Sequence, residues 1–493
     1  MPPRVSRRSL LAMAATAIAG RAVAAQLATP ADADVVIVGG DPAALAAAYG
    51  LSRSAGVRVV FVDDRPGWLG PPPAAPSTVS ELPAFARGHQ RCFEGWADAG
   101  NDGWAYEDVV PSFRRLERYE AGESANRGGS GPIAVAHCWD PHALHRAFLR
   151  AAVSSGYQQD ARHDFNQPRS QGVAGYYQTT HTDDGPQTFA DALMRPAEAA
   201  GVVAVRGVVV TRLLVEDGRV RGVELLRAGR RELVRATRGV IVAASPVRAA
   251  QILQLSGIGP ADVLRAAGVA VVADRAGVGR NLHAHLRIAV RWQAIDAALA
   301  LPASTVTAGM FTVSLSASPP DLQIDLVDPR AAGGPWVGAD VTLVRPFSRG
   351  GVRITTADPN AAPTIAPPRL ARAADLTALV QGVRLARLLV DAAPLDDWRA
   401  NERDESRGAT SQAALESLVR TTARETGDAA GTCAMGPASD GAAVVDARLA
   451  VHGVTGLWVA GAAVMPWIVN APPAAAALMT GDRAAEFLLN SRA

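Results

Sequence analysis

The chain has 493 residues, 48% of them hydrophobic, enough to bury a large core and to divide into more than one structural unit. A net charge of +2 points to neither nucleic acid nor an anionic membrane surface as a partner. No lysine occurs, so all 49 basic residues are arginine, which excludes Schiff-base and lysine-base mechanisms.

Residues 1–25 combine Ser6-Arg7-Arg8-Ser9-Leu10-Leu11, a short apolar segment to Gly20 and the small-residue site Ala22-Val23-Ala24. This resembles a twin-arginine signal peptide. The apolar run is well short of the ~20 residues that span a bilayer, so export to the periplasm or medium is expected, without a stable membrane span. That route carries proteins already folded, often around a cofactor.

Residues 33–64 read as strand, tight turn, helix and strand, the first βαβ unit of a dinucleotide-binding fold. Asp63 stands where such a unit receives a ribose hydroxyl. Against G-x-G-x-x-G the turn reads Gly39-Gly40-Asp41-Pro42-Ala43-Ala44, with a carboxylate in place of the second glycine.

Residues 66–80 form a proline-rich loop, because successive prolines sustain neither a helix nor a central strand. Trp96, Trp104 and Tyr106 follow, most simply as a core. Residues 202–226 read as strands around the turn Glu216-Asp217-Gly218, and 240–243 as a buried strand. A helix over 247–255 then stops at a glycine-then-proline signal, Gly257 to Pro260.

Between about 290 and 426 the texture changes. Residues 321–326 alternate with period two, and 341–354 read as two strands around Ser348-Arg349-Gly350-Gly351. Leu376, Leu379, Val380 and Val383 share one face of an amphipathic helix. Residues 456–462 return to a strand and small-residue turn, and 474–489 form a closing helix. Three cysteines, Cys92, Cys138 and Cys433, give neither a disulfide framework nor a metal-ligand spacing. His283 and His285 are spaced like a ligand pair but lack a third ligand, so no metal is expected there. Cys433 and Met435 read as packing residues. Asn470 is a candidate to face the cavity.

These landmarks together resemble the glucose-methanol-choline (GMC) family of flavin-dependent alcohol oxidoreductases. Beside the βαβ unit they include Arg87-Gly88-His89, Asn101-Asp102-Gly103-Trp104, Ser256-Gly257-Ile258-Gly259-Pro260 and Gly277-Val278-Gly279-Arg280-Asn281-Leu282. Gly431-Thr432-Cys433-Ala434-Met435-Gly436 and Val451-His452-Gly453-Val454 through Met465-Pro466 complete the series. The resemblance implies an α/β fold, a Rossmann-like FAD-binding domain with an inserted α+β substrate domain carrying an antiparallel sheet. FAD-binding parts are expected over 33–140, 196–290 and 426–490, and substrate-domain parts over 141–195 and 291–425.

By the same resemblance, Gly39, Gly40, Asp41, Ala44, Asp63, Val209, Asn281, Gly461 and Ala462 would contact FAD. Asp428 takes the position of the family's histidine base, and Ala474 that of its second catalytic residue. Ser245 stands where a glycine usually opens a family signature, and Gly461 where an aspartate usually reaches the cofactor. An unperturbed aspartate, with a pKa near 4, is a weak acceptor for alcohol chemistry unless burial raises it. The implied activity is oxidation of a small-molecule alcohol with hydride passing to FAD, and an external electron acceptor is the partner that would complete the cycle. Two other readings share the fold: a redox-inactive scaffold, and a non-redox lyase or cyclase using Asp428 as acid.

Overall fold

The structure is a computed structural model that describes residues 30–64, 84–137, 140–301, 307–315, 319–367 and 369–491. The leader, the proline-rich stretch and Cys138 lie outside these residues. Strand β1 (Asp32–Val38), helix α1 (Pro42–Ser52) and strand β2 (Val59–Asp64) form the βαβ unit. Helix α2 (Gln90–Asp98) and helix α3 (Ala143–Ser154) follow, then strands β3 (Val203–Glu216), β4 (Arg219–Arg227) and β5 (Arg230–Val242), and helix α4 (Pro246–Leu255). The second half adds β6 (His283–Ala294), β7 (Ala308–Thr312), β8 (Leu322–Val327) and β9 (Trp336–Leu343). It closes with β10 (Gly351–Arg353), β11 (Thr364–Ala366), α5 (Ala373–Val390), β12 (Arg424–Ala430), β13 (Leu457–Val459) and α6 (Ala474–Leu489).

Five strands run parallel in the order β3, β2, β1, β5, β13. Their Val- and Ile-rich runs are buried on both faces, as a covered parallel sheet requires: Val35 to Val38 and Val240 to Val242 are fully inaccessible. Strand β4 pairs antiparallel with both β3 and β5, so a three-stranded meander connects the sheet's edge to its centre. Helix α1 is almost entirely alanine on its buried side (Ala43, Ala44, Ala46, Ala47, Ala48). Those small side chains let it lie close against α6, where a Cβ on Gly481 would be driven into the Ala43 carbonyl.

A second hydrophobic core fills the inserted unit. It draws on residues 144–176 and 286–423, whereas the first draws on 33–135, 192–282 and 430–488 with Val352. Its antiparallel sheet runs from Arg399–Glu402 through β6, β9, β8 and β7 to Val173–Tyr176, with β12 added beside β6. Helix α5 lies on this sheet, its Leu379, Val380 and Val383 fully buried.

The two strands expected around Ser348 form, as the end of β9 and as β10, but they do not pair with each other. After β9 the chain leaves the sheet, and β10 pairs with β11. The cause is Asp375, a fully buried carboxylate in the first turn of α5. It accepts hydrogen bonds from the Phe347 and Ser348 backbone N–H groups, each at 2.8 Å, so this segment's amides are spent on a helix start and not on a hairpin.

The tightest constraint lies between β1 and α1. Gly39 has φ +131°, and a Cβ there would be driven into the Ala243 carbonyl. Gly56, also at positive φ, has open space around it. Gly39→Ala should therefore cost on the order of 3 kcal/mol and Gly56→Ala only about 1 kcal/mol, as read by urea denaturation. Equal costs would contradict the close approach.

Candidate active site

The carboxyl ends of β1, β5 and β13 converge on the N-terminus of α1, where backbone N–H groups and the helix dipole favour an anion. Gly39 offers bare backbone there. Gly461, at φ +93°, lies 3.4 Å from the Ala43 Cβ measured from its own ideal Cβ position. Its N–H donates to the Thr480 hydroxyl at 2.8 Å. Gly40 is exposed at the turn and Ala44 is buried in the helix. Asp41 is the N-cap, but its side chain makes no capping hydrogen bond. Ala462 is buried beside Gly461, and its carbonyl accepts from Gly431 N–H at 3.0 Å.

At the end of β2 two adjacent carboxylates have opposite fates. Asp64 is buried and paired with Arg248: Nε lies 2.6 Å from Oδ2 and Nη2 3.0 Å from Oδ1. The pair also closes on one backbone residue, since Val210 N–H donates to Asp64 Oδ1 at 2.7 Å and Arg248 Nη2 donates to Val210 carbonyl at 2.6 Å. Asp63 Oδ1, by contrast, is buried with no hydrogen-bond partner among the described residues. A buried acceptor left unmet is costly, and a ribose hydroxyl would satisfy it. Val209, the strand residue expected to contact the cofactor, is half-buried next to the residue the ion pair engages.

The Asp428 region adjoins these segments. Strand β12 lies beside β6, and the chain after it runs along 462–464, with Cys433 N–H donating to Ala463 carbonyl at 2.8 Å and Met435 N–H to Val464 carbonyl at 2.9 Å. Asp428 Oδ2 sits 3.7 Å from His285 Nδ1 and accepts from the Thr426 hydroxyl at 3.0 Å. Burial works to raise the Asp428 pKa, but the His285 contact and the Thr426 hydroxyl outweigh it and hold the group below the usual carboxylate range. His285 is buried, and its Nε2–H donates to the Val469 carbonyl at 3.1 Å. Its Nδ1 is the nitrogen that faces Asp428.

His283 plays a different part. Its Nδ1–H donates to the Asn281 carbonyl at 2.6 Å and its Nε2 accepts from Ile468 N–H at 2.8 Å, so both nitrogens are spent on backbone. Burial, with Arg349 nearby, pushes it down to about 3, a neutral structural imidazole. Asn281 is likewise a brace: its Oδ1 accepts from Arg349 Nε at 2.7 Å and its Nδ2 donates to the Pro466 carbonyl at 2.9 Å.

Asn470 follows Val469 and lines a small cavity of about 10 Å³ with Gly88, His89, Ser170, Phe165 and Phe311. Its Oδ1 accepts from His89 N–H at 2.8 Å and from the Cys92 thiol at 3.2 Å, and its Nδ2 donates to the Pro320 carbonyl at 3.1 Å. Burial, with Arg91 and Arg169 nearby, pushes His89 down to about 4. Burial pushes the Cys92 thiol up to about 11, so it is no nucleophile. Ala474 opens α6 with no group that could share in the chemistry. Arg87 holds the Gly88 segment through a buried pair with Glu117 at 2.9 Å, and Glu117 also pairs with Arg127 at 2.7 Å. A larger cavity, about 600 Å³, meets this region at Asn281 and Arg349 and is also lined by Arg280 and Arg353.

Two family models, both described as GMC oxidoreductase, match residues 77–287 and 346–481. The chain belongs to the GMC oxidoreductase family. Oxygen-dependent choline dehydrogenase of Rhizobium johnstonii is 31% identical over 441 residues, covering 83% of this chain and 79% of that one. The Rhizobium meliloti protein of the same name is 30% identical over 438 residues, covering 82% and 79%. Among solved structures, pyridoxine 4-oxidase from Mesorbium loti superposes with a TM-score of 0.84 at 24% identity, covering 94% of this chain and all of that one. A fungal aryl-alcohol oxidase gives 0.80 at 20%, covering 94% and 99%. These two likenesses establish the shared fold.

GMC oxidoreductases are FAD-dependent enzymes acting on alcohols, and this chain is one of them. The residues present fit that cofactor at two ends: bare backbone at Gly39 and Gly461 against the diphosphate, and the orphaned Asp63 Oδ1 against the ribose. Asp41 is the discordant group. Like charges about 4 Å apart cost roughly 1 kcal/mol in water and more when partly buried. Asp41→Asn should therefore tighten FAD binding by about tenfold, measured as flavin retained on dialysis; unchanged or weaker retention would contradict this placement of the carboxylate.

Proposed function

We propose that the enzyme oxidises a small, uncharged alcohol beside Asn470, with Asp428 and His285 together receiving the hydroxyl proton. The observation that carries this is the 3.7 Å approach of His285 Nδ1 to Asp428, with Nε2 tied to the Val469 carbonyl. Asp428 is a weak base, because the His285 contact and the Thr426 hydroxyl outweigh burial and hold its pKa low. A proton passed from the substrate hydroxyl through Asp428 to His285 Nδ1 makes an imidazolium facing a carboxylate, a more favourable pair than a lone carboxylic acid. FAD, when bound, supplies the hydride acceptor, and an external electron acceptor restores it.

The surroundings of Asn470 support the substrate class. Phe165 and Phe311 present apolar rings there, with centroids 5.8 Å apart, and among the described residues no carboxylate joins the lining. The charges felt there are arginines: Arg91 and Arg169 near His89, and Arg345 near Cys92. A cation such as choline would meet repulsion, whereas a neutral alcohol would not. We further propose that the twin-arginine leader exports the folded flavoprotein. Replacing Arg7 and Arg8 with lysine should hold it in the cytoplasm on fractionation, and undiminished export would refute that.

Asp428→Asn should lower kcat/KM about 10²- to 10⁴-fold while the flavin absorbance stays. Benzyl alcohol should be turned over at least ten times more efficiently than choline by the unaltered enzyme. Full activity in the Asp428 variant, or a preference for choline, would overturn the reading.

A further inference from the structure

We propose that His142, His145 and Asp328 form a separate site, in the inserted unit, that takes one zinc-class divalent cation. His142 immediately precedes α3 and His145 lies in its first turn, while Asp328 follows the last residue of β8. One ligand atom from each of the three lies within 4.8 Å of the others. His142 Nε2 is 3.4 Å from Asp328 Oδ2. That separation matches the edge of a tetrahedron built on metal bonds of about 2.0–2.1 Å.

The surroundings look like those of a held ligand set. Asp328 Oδ1 accepts from the backbone N–H groups of Arg330 at 3.0 Å and Ala331 at 2.8 Å, which fixes the carboxylate and leaves Oδ2 turned to the histidines. Outer contacts of this kind orient metal ligands. Both imidazoles are buried, His142 at 7% and His145 at 3% exposure. They stack with centroids 3.8 Å apart and planes 18° off parallel. His142 makes no side-chain cap on the helix it precedes, and its Nδ1 is buried without a hydrogen-bond partner among the described residues.

A buried imidazole left partly unsatisfied beside a second imidazole and an oriented carboxylate is costly as it stands. A cation shared by the three repays that cost. Two nitrogens and one carboxylate oxygen suit zinc, cobalt or nickel, with a water completing the shell. Binding turns the rings out of their stack and clasps the start of α3 to the end of β8. The site uses none of the groups assigned to FAD or to the alcohol, so it stands or falls independently of them.

The test is calorimetric titration of Zn²⁺ into the full-length, tag-free, FAD-loaded enzyme after EDTA treatment and dialysis. One equivalent should bind with micromolar or tighter Kd. His145→Ala and Asp328→Asn should each weaken binding at least tenfold without changing the Tm measured in EDTA. Should His145→Ala fail to fold, Asp328→Asn and X-ray absorption of the zinc-loaded enzyme decide, the latter expected to show two imidazole nitrogens. Absence of stoichiometric binding, unchanged affinity in Asp328→Asn, or a zinc spectrum without imidazole scattering would overturn the proposal.

Discussion

Everything in the nucleotide unit follows from a place where no side chain can stand. Strand β1 turns into α1 across the Ala243 carbonyl, and only the missing Cβ of Gly39 permits that approach. The contact locks β1 beside β5, which brings the end of β13 and Gly461 to the same helix start. Because the segment after Gly461 runs along residues 431–435, the turn also fixes where β12, and with it Asp428, lies relative to the helix dipole. A steric fact in one residue thus positions both the start of α1 and the strand that carries Asp428.

Charge is distributed around that frame with a clear division of labour. Asp64 is consumed by Arg248, tying β2, β3 and α4 together, and removing either partner would strand a buried charge at a cost of about 3–5 kcal/mol. Asp63 Oδ1 has no hydrogen-bond partner among the described residues and stands where such a fold receives a ribose hydroxyl. The same contrast recurs between His283, whose two nitrogens serve backbone, and His285, whose Nδ1 remains open to Asp428. In each pair one group builds the site and its neighbour faces the chemistry.

The sequence made the βαβ unit and the family plain, because period-two strands, an alanine-rich helix and a glycine turn are signals carried within a few residues. The closing helix and the helix after β5 were legible for the same reason. What local pattern could not reveal was partnership across the chain. The two strands expected around Ser348 form but pair with different partners, because Asp375, more than twenty residues on, claims the intervening amides. Asp64 and Arg248 are 184 residues apart, and nothing near either announces the other. The histidine pair at 283 and 285 drew notice by its spacing, yet His285 matters through Asp428. The equally regular spacing of His142 and His145 passed unread, since their carboxylate comes from a distant strand end.

The chain is a GMC oxidoreductase whose turn keeps bare backbone at Gly39 and Gly461 beside Asp41. That altered turn still holds FAD. The visible absorption spectrum of the full-length protein, purified from the cytoplasm and read against its protein concentration, tests this most directly. Flavin bands near one equivalent per chain are the predicted result, and a folded, colourless protein would contradict the claim.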